Sequence, residues 1–70
     1  MTQAAATHRV ASTIRAELAR RRIPQNVVAE RLNLSQATVS RRLAGEYPFD
    51  VDELEVIAEL LGMTPSELIA

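Results

Sequence analysis

The chain has 70 residues, which is enough for one small domain with a thin margin of stability. Because it has no cysteine and a single histidine, a disulfide framework and a thiolate or histidine zinc site are excluded. A net charge of −1 gives no overall attraction to nucleic acid. The apolar runs are too short for a membrane span or a signal peptide, so the sequence predicts a cytoplasmic protein that does not bind membranes.

The first predicted element is a helix that begins at Thr7. No helix breaker occurs before Pro24, and apolar residues recur at the helical spacing i, i+4, i+8, at Val10, Ile14 and Leu18. Residues 1–6 are mostly small and are predicted to be a flexible N-terminus. The remaining residues, 7–70, are then the folded domain.

Four further helices are predicted from their starts. At four places one apolar residue precedes the N-cap and another falls at the fourth helical position, where the two can pack together. The pairs are Ile23 with Val28, Leu34 with Val39, Phe49 with Leu54, and Met63 with Leu68. The implied N-caps, all but the first with a good side-chain acceptor, are Pro24, Ser35, Asp50 and Thr64. The predicted helices span residues 25–32, 36–44, 51–61 and 65–69.

The second and third predicted helices are both short, and only three residues separate them, Asn33, Leu34 and Ser35. So brief a connection favours a steep crossing, as in a helix-turn-helix. Asn33 can adopt the left-handed conformation at this turn, and glycines follow the third and fourth helices at positions 45 and 62. The sequence therefore predicts an all-α fold, a compact five-helix bundle that contains a helix-turn-helix.

Charge is distributed unevenly along the chain. Residues 1–45 contain eight arginines and two acids, a balance of +6, whereas residues 46–70 contain seven acids and no base, a balance of −7. Such asymmetry indicates one face for a polyanion and another kept away from it. Two solvated faces that attract each other would give the same pattern.

The third predicted helix has one polar face. With Val39 and Leu43 turned to the core, a rotation of 100° per residue leaves five residues outward or at the exposed tip. They are Gln36, Ala37, Thr38, Ser40 and Arg41. An α-helix fits the DNA major groove, where Gln pairs with adenine, Arg with guanine, and the methyl groups of Ala or Thr contact thymine. This face is predicted to bind DNA, the alternative being a polar face that meets only water.

The sequence also resembles the helix-turn-helix XRE family, which includes phage repressors and Cro. The resemblance runs from about Arg15 to Leu68 and covers most of the chain. It rests on Gln25 and Ala29, on "LSQATVS" and the glycine at 45, and on the closing "ELEVIAELLGMTPSEL". The resemblance implies a lambda-repressor-like fold.

The resemblance also implies roles for individual residues. In such proteins the glutamine at the start of the second helix holds a phosphate and supports the first residue of the third, which gives those roles to Gln25 and Gln36. Family members often have an apolar residue where this chain has Arg42. The role of Arg42 is therefore not implied by the resemblance. Arg42 is still a DNA-binding candidate, because its long side chain can pack along the helix edge and reach either a phosphate or an acid of the fourth helix.

The predicted function is sequence-specific binding of a double-stranded DNA operator by a transcriptional regulator, most simply a repressor of phage or bacterial type. The alternative is an antitoxin or adaptor whose acidic second half, helices four and five, binds a protein partner. A homodimer on DNA and a place within a longer chain both stay open. No nucleophile–base pair, phosphate-binding glycine loop or metal-ligand pattern occurs, so no enzymatic activity, metal or cofactor is predicted.

Overall fold

A computed structural model describes the backbone of residues 2–70 and the side chains from residue 5 onward. This part of the chain forms five α-helices joined by short turns, with no strand. They are α1 (Thr2–Arg20), α2 (Gln25–Leu32), α3 (Gln36–Leu43), α4 (Val51–Leu61) and α5 (Pro65–Ile69). The predicted all-α bundle with a short turn between α2 and α3 is confirmed.

Helix α1 begins at Thr2, five residues before the predicted start at Thr7. The extension contains three consecutive alanines at positions 4–6, and alanine has the highest intrinsic helix propensity. Alanines carry little periodic signal, so a pattern of large apolar residues cannot detect this turn of helix. Met1 lies outside the described residues, and the flexibility of residues 1–6 stays a prediction.

Helices α1 to α4 all end in the same way. A left-handed residue lies one or two positions past the last helical residue, and the N–H of the residue after it bonds to the carbonyl five positions back, which is the Schellman motif. The left-handed residues are Arg22, Asn33, Gly45 and Gly62, with φ of 56°, 58°, 85° and 71°. The closing bonds run from Ile23 to Leu18, Leu34 to Ala29, Glu46 to Arg41 and Met63 to Ala58, at 2.8–3.0 Å. Glycine and asparagine were predicted here; an arginine was not.

The starts of α3, α4 and α5 carry the predicted side-chain caps. Ser35, Asp50 and Thr64 each accept the backbone N–H of the residue three positions on. In α4 and α5 the third residue is a glutamate that accepts the N-cap N–H in return, which completes a capping box. Pro24 at the start of α2 makes no such bond. Local sequence thus fixes where three of the helices begin.

One apolar cluster forms the core between the helices. Its most deeply buried large side chains are Ile14, Val28, Val39, Leu43, Ile57 and Leu68. All members of the four predicted apolar pairs belong to this cluster or pack against it. Burial of this cluster therefore fixes the inner face of α3 and leaves its other face to solvent.

Replacement of Gly45 with alanine should destabilise the fold more than the same change at Gly62. Both glycines have left-handed backbones, so an alanine at either should cost about 1–2 kcal/mol. A Cβ at Gly62 would have no heavy atom within 4 Å, whereas a Cβ at Gly45 would lie 2.4 Å from Nδ1 of His8. Urea unfolding of both variants measures the difference. The extra loss of stability in Gly45→Ala should vanish when His8→Ala is added to it. If Gly45→Ala and Gly62→Ala alone cost the same free energy of unfolding, the expectation is wrong.

Candidate nucleic-acid interface

Helix α3 has a buried face and an exposed face. Val39 and Leu43 are 0% and 2% exposed and lie in the core cluster. Four of the predicted DNA-binding residues lie together on the exposed side, namely Gln36, Ala37, Ser40 and Arg41. The rotation inferred from the sequence is therefore correct, while the contact of these residues with DNA stays a prediction.

Thr38, the fifth residue of the predicted face, is half-buried at its edge. Its backbone N–H donates to the Ser35 hydroxyl at 3.1 Å, and its own hydroxyl oxygen accepts a hydrogen bond from that hydroxyl at 2.9 Å. The Thr38 hydroxyl can still donate its hydrogen outward. The serine cap thus fixes the start of α3 and orients Thr38 without using up its capacity to bind.

Gln25 is the exposed first residue of α2. Because Pro24 provides no side-chain cap, the first backbone N–H groups of α2 stay without a side-chain acceptor. Gln25 lines a surface hollow of about 290 Å³ between the end of α1, the start of α2 and the end of α3. Within residues 2–70 no hydrogen bond joins Gln25 to Gln36, so the predicted support between the two stays a prediction.

Arg42 lies at the edge of the exposed face of α3 and its side chain reaches α4. Its guanidinium forms an ion pair with the carboxylate of Glu53 in α4, and both side chains are partly buried. Of the two partners predicted for Arg42, the structure therefore gives it the acid of the fourth helix. A phosphate contact by Arg42 requires this pair to open.

A second arginine, Arg15 of α1, contacts the C-terminal end of α3. Its guanidinium donates a hydrogen bond to the backbone carbonyl of Leu43, where a positive charge complements the helix dipole. The sequence reading missed this role. The available signal was position, because Arg15 lies at the edge of the apolar stripe of α1 that Ala11, Ile14 and Leu18 form.

The other arginines divide into paired and partner-free groups. Arg20 and Arg21 both bond to the Glu17 carboxylate. These bonds, of which that from Arg21 has the larger effect, hold the pKa of the Glu17 carboxyl below its usual range. Arg9 donates to the carbonyl of Ile69 at 3.3 Å. In the part of the chain that the structure describes, three exposed arginine side chains have no hydrogen-bond or ion-pair partner: those of Arg22, Arg31 and Arg41.

A comparison with known families identifies the domain that contains α3. A family model of Cro/C1-type HTH DNA-binding domains matches residues 13–70. The chain belongs to this family. The resemblance to the XRE family is thereby confirmed, and the Cro/C1-type domain takes in all of α2 to α5 and the second part of α1. DNA binding and transcription regulation are the functions of this family.

Two further searches, for similar proteins and, within residues 2–70, for a membrane-spanning helix, found nothing. No curated protein and no solved structure matches the chain. Among residues 2–70, no helix combines the length and the apolar character that a membrane crossing needs.

Proposed function

We propose that this Cro/C1-type domain is a repressor that binds a double-stranded operator with α3 in the major groove. One observation carries the proposal: α3 buries Val39 and Leu43 and leaves Gln36, Ala37, Ser40 and Arg41 exposed together. A helix that enters the groove needs such a face, with donors and acceptors at its surface and small residues that permit close approach. Occlusion of a promoter then needs no chemistry from the protein.

The exposed side chains are assigned by their hydrogen-bonding capacity. Gln36 and Arg41 read the base edges of adenine and guanine respectively, because each can form a bidentate pair there. The Ala37 and Thr38 methyl groups suit contact with thymine, while Ser40 can bond to a base or to the backbone. Gln25 contacts a phosphate at the start of α2, where uncapped N–H groups favour an anion. Arg42 contributes only when it leaves Glu53.

Two domains on a palindromic operator are the arrangement that we favour for such a repressor. Helix-turn-helix proteins bind half-sites about one helical turn apart, and the symmetry of the operator mirrors that of the dimer. The rival function, in which the acidic α4 and α5 bind a protein partner, predicts no preference among DNA sequences. Selection from random duplexes tests both: a recovered consensus supports the repressor, and its absence contradicts it.

Binding should depend strongly on salt although the net charge is only −1. The salt dependence is set by the charges that contact phosphates and not by the net charge. Three exposed arginine side chains have no partner among the described residues and are available for such contacts. The two that pair with Glu17 at the surface can exchange a weak ion pair for a phosphate. We expect a log–log slope of affinity against salt of about −3 to −5 per bound domain. Anisotropy titrations from 50 to 300 mM salt measure it, and a flat response would favour the protein-partner function.

A further inference from the structure

The ion pair between Arg42 and Glu53 neutralises one of the positive charges of α3. The two side chains are only 22% and 14% exposed, so solvent screens their attraction less than at an open surface. The same Oε1 atom of Glu53 also accepts the backbone N–H of Asp50 at 2.9 Å. One carboxylate oxygen therefore completes the capping box of α4 and binds an arginine of α3.

Arg42 is placed where a phosphate could replace Glu53. On the helical wheel it lies about 60° from Val39 and about 100° from Arg41, at the edge of the exposed face. The edges of a helix inside the major groove are the parts nearest to the two DNA backbones. Carboxylate and phosphate offer a guanidinium the same kind of anionic oxygen acceptor.

We infer that Glu53 competes with DNA phosphate for Arg42 and so withholds one phosphate contact from the interface. The inference rests on the proposed DNA binding through α3. Phosphate contacts supply almost all of the affinity for non-operator DNA. Glu53 therefore lowers binding to DNA of any sequence, while Gln36 and Arg41 keep their access to the bases.

The two capping boxes of the chain provide a matched experiment. Glu53→Gln removes the charge that binds Arg42, yet glutamine can still accept the Asp50 N–H, as it does in other capping boxes. Glu67→Gln makes the same change in the capping box of α5, where the glutamate bonds only to Thr64 among the described residues. Both variants lose one negative charge, so their difference isolates the effect on Arg42.

Affinity for a mixed-sequence duplex of about 20 base pairs is measured by fluorescence anisotropy over a salt series. Glu53→Gln should bind about three- to tenfold more tightly than Glu67→Gln at low salt, with a log–log slope steeper by about 0.9, the value of one phosphate contact. Arg42→Ala alone should reduce the affinity by a smaller factor than Glu53→Gln raises it, because Glu53 already withholds Arg42 from phosphate in the unaltered domain. The double variant Glu53→Gln with Arg42→Ala should lose the whole gain.

Each outcome separates this inference from the proposed function. If the unaltered domain binds DNA and the two glutamine variants bind equally, Glu53 does not compete for Arg42. If Arg42→Ala alone flattens the slope by about 0.9, Arg42 already contacts phosphate and the inference is wrong. The salt slope of Arg42→Ala tests the inference even if Glu53→Gln fails to fold, because Arg42→Ala leaves the capping box of α4 intact. Failure of the unaltered domain to bind any duplex would overturn the proposed function itself.

Discussion

Replacement of Phe49 with alanine should lower the free energy of unfolding by about 3–5 kcal/mol. The Phe49 side chain is 9% exposed and belongs to the core cluster. It precedes the N-cap of α4 and lies beside an apolar hollow of about 160 Å³ that Val10 and Leu54 also line. Truncation removes the buried ring and joins its volume to that hollow, which leaves a larger cavity beside the core.

The size of this loss is large for so small a domain. At the usual stability per residue, 70 residues have a total of roughly 4–10 kcal/mol, so Phe49→Ala should leave a large fraction unfolded near 37 °C. Tyr47→Ala is the matched control, because Tyr47 is the other aromatic residue and is 54% exposed. That change should alter stability by less than about 0.5 kcal/mol. Similar urea midpoints for the two variants would show that Phe49 does not anchor the start of α4.

The predicted starts of α2 to α5 agree with the structure because their signals are local. All four starts have an apolar pair five residues apart, three of them also have an N-cap acceptor, and all these residues lie within a short stretch of sequence. The bounds of α2, α4 and α5 are those predicted, and α3 ends one residue early, at Leu43. Apolar spacing was also enough to orient α3, since Val39 and Leu43 alone define its buried side.

The roles of the arginines could not be predicted in the same way. Arg42 bonds to a residue 11 positions away and Arg15 to one 28 positions away. Such contacts depend on how the helices cross, which no local pattern encodes. The count and sign of charge therefore place the arginines in residues 1–45 but do not show which of their side chains remain available to DNA.

Arg22 shows the same limit in the backbone. It is left-handed at the end of α1, a place where glycine is usual and where a side chain costs conformational energy. Nothing in the run of three arginines distinguishes the one that adopts this conformation. The four Schellman ends were recognisable from sequence only where Gly or Asn marked them.

Replacement of Arg41 with alanine should weaken operator binding by about 1–3 kcal/mol, roughly five- to 150-fold, and relax the preference at one base pair. The Arg41 side chain is exposed opposite the buried side of α3 and has no partner within residues 2–70, so it is free to form a bidentate pair with guanine. The measurement is the affinity of the variant for the selected operator and for each single-base change in it.

Arg22→Ala is the matched control, because Arg22 is also exposed and without a partner in the described chain but lies at the end of α1. It should weaken all sequences equally or not at all, with a change in salt slope of at most about 0.9. If Arg41→Ala instead keeps the full base preference while affinity falls uniformly, Arg41 contacts phosphate. Base recognition would then depend on Gln36, Ala37 and Thr38, and α3 would lie in the groove rotated by tens of degrees from the orientation proposed.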